Sequence, residues 1–526
     1  STNPDPRPDP FLYLVGGPGG SIVNRLTEQY HEWDPFRAEH DLIFYNQRGT
    51  VLTEPYIECN QYLGGQDFES ARAEIEAQMP EAWRPVQEDT LSLPACLEIY
   101  REKGIDFTQY NSLTNAQDTA DLMQALGYDE YNLYGLSYGT RLALSIMRDR
   151  PEQVRAVILD SNFPPNLDTM SVTASSGYEA GLQLFKECAA DEACNEAFPD
   201  LEAHFAELRT RLAEEPLATG DEFFPEINEV ELITHLMNAG ANPRVMAYVP
   251  LTIEQFYDGS SDVYMRLVNR ELPPLESGGD ATPIPPPVRD YDYAEMSELS
   301  NDYESAVYAL ADVDREQYVQ TRYEFVKQML QGSSREQLMA FTENFPPQTA
   351  ADLQERLEAL SDDGLETMLT LLHFDFTAHV DTSDLVNMLV NCYDDYNFSS
   401  YDEANAPNPY DLPEEMLESD KEGNRDTRAK CSLIPTGRGP DWMIEPVSSD
   451  IPVLILQGLA DNNTPPSWSA VERPTLSNQF YVEVPAAPNG VIQQGKCITD
   501  LAQSFLNDPT QEPDSSCVAQ FEPEFV

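Results

Sequence analysis

The segment Tyr131–Thr140, YNLYGLSYGT, constrains this chain more than any other. It holds a G-x-S-x-G pattern as Gly135-Leu136-Ser137-Tyr138-Gly139. A short apolar run precedes the pattern and reads as a strand, and Thr140–Met147, TRLALSIM, follows it and reads as a helix. A serine on so sharp a strand-to-helix turn is pushed out of its sheet with the hydroxyl exposed. The two glycines let the chain pass close on either side. Ser137 is therefore the candidate nucleophile.

Other apolar runs are Phe11–Val15 (FLYLV), Asp41–Asn46 (DLIFYN), Val154–Asp160 (VRAVILD), Ile451–Gln457 (IPVLILQ) and Gln479–Val484 (QFYVEV). Separated by helical stretches, they predict an α/β protein: a mostly parallel sheet with helices on both faces. The first run starts at Phe11, so the earlier strands of a full sheet of this kind are expected to be missing. A start at Ser1 without methionine reads as a processed or trimmed product.

Between Phe163 and Pro440 the texture changes. Leu201–Glu215, Glu229–Asn238, Arg315–Leu330 and Ala351–Leu360 show helical apolar spacing, and strand signals nearly vanish. The Pro-rich stretch Leu272–Val288 reads as an exposed loop. The expected organisation is a core in two parts, 1–162 and 441–526, with a helical cap, 163–440, inserted between them over the sheet's C-terminal edge.

Charge removes several functional classes. Against 31 Lys and Arg stand 92 Asp and Glu, a formal net charge of −61. Such a surface repels phosphate backbones and anionic lipid, so neither nucleic acid nor a membrane surface is an expected partner. Solubility in a saline or cold medium explains the charge simply. A field drawing in cationic substrates, such as peptide amino termini, is the sharper reading, and salt screens it beyond about 8–10 Å. No apolar run is long enough for a transmembrane helix. The sequence does not speak to oligomeric state.

The eight cysteines form an even set without C-x-x-C spacing, and no histidine lies near the local pairs, which argues against zinc. The expected bonds are Cys59–Cys96, Cys188–Cys194, Cys392–Cys431 and Cys497–Cys517. Such a set belongs to an oxidising, extracytoplasmic compartment, secreted or periplasmic. No H-E-x-x-H, P-loop or dinucleotide fingerprint occurs, so no metal or nucleotide cofactor is expected.

Four loops fall at the C-terminal ends of the expected strands, where an open α/β sheet builds its site. They are Gly16–Ser21 (GGPGGS), Gln47–Thr50 (QRGT), the turn at Ser137, and Gly458–Asp461 (GLAD). In this order VGGPGGS, FYNQRGT, GLSYGT and LILQGLADNNTPP resemble the proline iminopeptidase branch of the α/β-hydrolases, and most of all its secreted tripeptidyl-aminopeptidase-like members. The tail GKCITDLAQSFLNDPTQEPDSSC is similar to the C-terminal region of that subfamily, cysteines included. The resemblance implies an α/β-hydrolase fold and a serine exopeptidase that releases N-terminal residues or short peptides through an acyl-enzyme. It implies Ser137 as nucleophile, Asp461 as the acid of the triad, and the N–H groups of Gly17 and Tyr138 as the oxyanion hole. An esterase or amidase on small molecules is the alternative within enzymes.

Three departures stand out. Val15 replaces the histidine that usually opens the glycine loop, and Asn46 replaces the aspartate before the arginine loop. More seriously, Asn489 falls where the family's catalytic histidine sits, in the turn Pro485–Val491 (PAAPNGV). All six histidines, His31, His40, His204, His235, His373 and His379, precede Asp461. Asparagine can neither take the serine's proton nor protonate the leaving amine. Three readings stay open: a catalytically dead binding protein, a base delivered by His373 or His379 from the cap, or a natural chain with another residue at 489. Glu179, Glu187, Glu229 and Glu231 are candidate partners for a substrate's free amine.

Overall fold

The computed structural model describes residues 3–22, 33–59, 68–268, 335–361 and 383–521, apart from scattered positions within them, and a few single residues besides. The strands are β1 (Phe11–Leu14), β2 (Leu42–Phe44), β3 (Tyr131–Leu136), β4 (Val154–Asp160), β5 (Leu217–Ala218), β6 (Glu226–Ile227), β7 (Val453–Gly458) and β8 (Gln479–Val484). Six of them form one sheet in the order β2-β1-β3-β4-β7-β8, and every neighbouring pair is parallel. The apolar runs of the sequence are these strands. The separate β5–β6 hairpin was not foreseen, because two-residue strands leave no periodic signal.

Successive residues of a strand face opposite sides of its sheet, and here both sides are covered. Leu12, Leu14, Leu133, Val157, Leu159, Val453 and Ile455 pack on one face. Phe11, Tyr13, Tyr134, Ile158, Leu454 and Leu456 pack on the other. Ten helices matter for the site: α1 (Glu88–Glu102), α2 (Ser112–Leu126), α3 (Tyr138–Asp149), α4 (Thr169–Ala190), α5 (Leu201–Glu214), α6 (Glu229–Ala239), α7 (Pro243–Tyr257), α8 (Asp384–Asp394), α9 (Glu414–Leu433) and α10 (Lys496–Asn507). Residues of α1, α2, α3 and α8 cover the first face. Ile498, Leu501 and Phe505 of α10 cover the second, at the spacing of a single helical stripe.

Helices α4 to α7 build their own apolar cluster around Leu184, Phe185, Leu208, Leu232, Leu236 and Phe256. Ala460, from the loop after β7, belongs to that cluster, and Ala486, from the turn after β8, packs against it. This helical body is therefore seated on the loops at the C-terminal edge of the sheet. Asn462 Nδ2 ties the two together by donating to Met237 O at 3.2 Å. Helices α8 and α9, by contrast, return to the sheet: Leu385, Val386, Leu389, Val390, Cys392 and Cys431 lie in the first-face core.

The expected helix at Ala351–Leu360 runs from Pro347 to Ala359, opening on a proline that suits a first helical position. Arg315–Leu330 and Leu272–Val288 lie outside the described residues. The cysteines pair as Cys59–Cys96, Cys188–Cys194, Cys392–Cys431 and Cys497–Cys517.

Candidate active site

Parallel strands bring their C-terminal ends to one edge, and the strand order changes direction at β1, between β2 and β3. There the glycine loop meets the serine turn. Ser137 follows β3 directly, half-buried, with φ 54° and ψ −120°. A non-glycine residue in such a conformation is strained, and neighbours must impose it. A Cβ on Gly135 would stand 2.4 Å from Gly139 O, and one on Gly139 only 2.0 Å from Leu14 O. Both glycines of the motif are thus required by contact. The Ser137 N–H donates to Asp160 O at 3.0 Å, which fixes the turn to β4. Its side chain makes no capping bond to α3.

The glycine loop lies against this serine. A Cβ on Gly16 would be 2.9 Å from Leu136 O and 3.1 Å from Ser137 Cβ. Gly17 is exposed, with φ 119°. Tyr138 is the first residue of α3, and the helix offers its N–H no acceptor. The loop is held from outside by α8: Ser383 N–H donates to Gly19 O at 2.9 Å and Asn387 Nδ2 to Pro18 O at 3.0 Å. Gln47 Nε2 holds Val15 O at 3.0 Å, and Asn46 Oδ1 takes the Ile22 N–H at 3.1 Å. Arg48 makes a two-pronged pair with Asp118, at 2.7 and 2.6 Å.

Asp461 is fully buried after β7. Its Oδ1 accepts from the N–H groups of Asn463 and Thr464, each at 2.9 Å, and its Oδ2 from Thr464 Oγ1 at 2.7 Å. Burial pushes its carboxyl above the ordinary range, and these bonds pull it partly back. Asn489 faces this carboxylate: Nδ2 lies 3.2 Å from Asp461 Oδ2, 3.4 Å from Oδ1 and 3.1 Å from Thr464 Oγ1.

Asp160 was missed by sequence reasoning, because two of its partners are main-chain N–H groups 331 and 332 positions away. Its carboxylate accepts the N–H groups of Val491 and Ile492, each at 2.8 Å, and Tyr134 Oη–H at 2.8 Å. The turn that carries Asn489 is therefore anchored on the residue whose carbonyl holds Ser137. Burial pushes the Asp160 carboxyl up to about 6.

The described histidines serve elsewhere. His40 is buried and its Nδ1 lies 2.7 Å from Asp9 O, before β1 and so at the other edge of the sheet. His204 pairs with Glu254 at 2.6 Å, on α5 and α7. His235 is buried in α6, and burial lowers it to about 4. His31, His373 and His379 lie outside the described residues.

The four candidate glutamates differ. Glu229 pairs with Arg209 at 2.9 Å, Glu231 accepts the Asn228 N–H at 3.1 Å, and Glu179 holds Ser467 N–H and Oγ at 3.1 and 2.6 Å. Glu187 is buried, its Oε1 takes only the Ala486 N–H at 3.3 Å, and its Oε2 has no partner among the described residues. Burial raises it to about 7. No group of metal-ligating side chains occurs among the described residues, and no helix among them is long and apolar enough to cross a membrane.

The family model described as alpha/beta hydrolase fold matches residues 9–241, and that described as TAP-like protein matches residues 421–517. Serine protease Hip1 of Mycobacterium tuberculosis (strain ATCC 25618 / H37Rv) is 29% identical over 197 residues, 35% of each chain. Tripeptidyl aminopeptidase of Streptomyces lividans is 25% identical over 180 residues, 34% of this chain and 33% of that one. The matched stretch thus spans about a third of the length of these relatives. Among solved structures, novel epoxide hydrolases from metagenomes of hot environments align over 96% of this chain and 93% of theirs at 12% identity, with a TM-score of 0.32. The sheet, the serine turn and the two family matches agree: the chain has the α/β-hydrolase fold, and its C-terminal part is similar to TAP-like protein.

Proposed function

We propose that this chain carries the site of a serine peptidase that acts on peptide amino termini, and that Asn489 holds the site silent. One observation carries the reading: Asn489 Nδ2 is 3.2 Å from Asp461 Oδ2, on a turn tied through Asp160 to Ser137. An acid, a residue oriented by it and a strained serine are the frame of acyl transfer.

In this reading Ser137 Oγ attacks the scissile carbonyl, and the N–H groups of Gly17 and Tyr138 hold the oxyanion that forms. Such donors are worth roughly 2.7–4 kcal/mol each in the transition state. Asp461 orients residue 489. The missing step is proton transfer, since a carboxamide is neither base nor acid at neutral pH. Removing the base of such a triad costs about 10⁶-fold in turnover. Glu187 is the anchor for the substrate's ammonium, because it alone of the four glutamates combines burial with an oxygen unpartnered among the described residues. The helical body over the loops limits entry to chain ends. The four disulfides support work in an oxidising, extracytoplasmic compartment.

The same asparagine favours a second reading, a binding protein that keeps the pocket and has lost the chemistry. A fluorophosphonate probe, aminoacyl and tripeptidyl chromogenic amides and a p-nitrophenyl ester separate the two in the chain and in Asn489→His. Amide turnover at least about 10³-fold higher in Asn489→His supports the peptidase frame. Ester turnover alone points to an esterase. Peptide binding without labelling or turnover in either protein establishes the binder.

A further inference from the structure

Asp160 ends β4, and with its neighbour Ser161 it meets three segments of the site at once. Asp160 O accepts the Ser137 N–H at 3.0 Å, on the serine turn. Ser161 N–H donates to Leu456 O at 3.0 Å, on the strand that leads to Asp461. The third segment is the turn after β8. There Gly490 N–H donates to Ser161 Oγ at 2.9 Å, Val491 N–H to Asp160 Oδ1 at 2.8 Å and Ile492 N–H to Asp160 Oδ2 at 2.8 Å. Val491–Gln494 form a short helix, and these three N–H groups at its start are the ones its own turns cannot satisfy. Two adjacent side chains, 329 to 332 positions earlier in the chain, take all three. Ser161 is itself held at φ 62°, in the left-handed region that a non-glycine residue adopts only under constraint.

Burying a carboxylate is costly unless its oxygens are filled. Here the two N–H groups are joined by the Tyr134 hydroxyl at 2.8 Å and the Ser161 hydroxyl at 3.3 Å. A helix start alone needs no such acid, since a serine or asparagine next to it in sequence serves as cap. An acid drawn from the strand beside the serine turn does more: it fixes where the short helix stands relative to Ser137. Residue 489 comes immediately before the three gripped N–H groups, and its amide reaches Asp461 Oδ2 at 3.2 Å. We propose that Asp160 and Ser161 are positioning residues, which together set the side chain at 489 against Asp461 and Ser137. Their effect on turnover rests on the peptidase reading, but their effect on position is read without turnover.

The test is made in Asn489→His, where the introduced imidazole reports its own position. Its titration is followed by NMR, beside kcat and KM for a tripeptidyl amide, with Asp160→Ala or Ser161→Ala added. Asp160→Asn, which keeps the volume and one acceptor, replaces Asp160→Ala should that variant not fold. Asp461→Asn supplies the midpoint of an imidazole without its acid. An imidazole held against a carboxylate keeps its proton to higher pH, so each added variant is expected to lower the midpoint by about one pH unit, towards that of Asp461→Asn. It is also expected to lower kcat at least about 100-fold with KM kept within about threefold, the mark of lost alignment rather than lost binding. An unchanged midpoint in the folded variants overturns the proposal whatever the melting temperature does, since the two residues then only cap a short helix. A raised KM with kcat kept overturns it as well. An Asn489→His chain that shows no turnover, but whose midpoint still falls with either variant, removes the peptidase reading and leaves this one standing.

Discussion

Asn489 Nδ2 donates to Asp461 Oδ2 at 3.2 Å, the same oxygen that takes Thr464 Oγ1–H at 2.7 Å. The amide makes the bond by which an acid normally orients an imidazole, and it stops there. In an Asn489→His background, Asp461→Asn should therefore lower kcat on a tripeptidyl amide by about 10⁴-fold with little change in KM, because the imidazole loses its orientation and tautomer. A loss below tenfold would show that Asp461 does not orient residue 489.

The serine turn depends on its glycines more than on any side-chain bond. A methyl on Gly139 would stand 2.0 Å from Leu14 O, which is main chain and cannot yield. Gly139→Ala is expected to destabilise the fold by about 3 kcal/mol in urea unfolding and, in an Asn489→His background, to abolish fluorophosphonate labelling. A variant with parental stability and labelling would mean that the turn is not built this way.

Glu187 gives a pH signature. Its folded value is about 7 against 4.5 for an ordinary glutamic acid, because burial disfavours the charge. Between those values the folded chain keeps a proton that the unfolded chain has lost, so its contribution makes stability fall as pH rises through that window. Glu187→Gln retains an acceptor for the Ala486 N–H and removes the charge. It should leave stability at pH 4 nearly unchanged and raise it at pH 8 by about 1–3 kcal/mol. Chemical unfolding at the two pH values checks this; equal effects at both would contradict it.

The disulfides differ in the loops they close. Cys392–Cys431 spans 39 residues and ties α8 to α9 within the sheet core, whereas Cys188–Cys194 spans 6 within the helical body. Loop entropy assigns about 4 kcal/mol to the first and about 2 to the second. Replacing each pair by alanine and measuring urea unfolding should reproduce that order, and the reverse order would contradict it.

Much of this architecture is legible in the sequence because the central strands β1, β3, β4 and β7 are largely buried on both faces and so read as continuous apolar runs, while the edge strands β2 and β8 are only partly buried. The serine turn, the glycine loop and the GLAD loop are legible because each combines a strand end with residues that only tight turns require. Other features are silent for physical reasons. Asp160 looks like the last residue of VRAVILD, since two of its partners are main-chain N–H groups of residues 491 and 492, which any sequence supplies, and the Tyr134 and Ser161 hydroxyls that join them form no motif. Helix α9 reads as a surface helix, EEMLESDKEGNRDTRAKCSL, yet its buried positions, Asp426, Ala429 and Cys431, tie it inward. Asp426 takes Thr90 Oγ1–H of α1 at 2.7 Å, a polar contact that apolar periodicity cannot reveal. The hold of Ser383 and Asn387 on the glycine loop joins residues some 360 positions apart, and a local pattern carries no trace of it.

The most direct test of the account is kcat/KM for a tripeptidyl chromogenic amide, measured side by side in this chain and in Asn489→His, with Ser137→Ala as the control. The account predicts a gain of at least about 10³-fold in Asn489→His, abolished when Ser137 is also replaced. Equal rates in the chain and in Asn489→His, or a gain that survives Ser137→Ala, would contradict it.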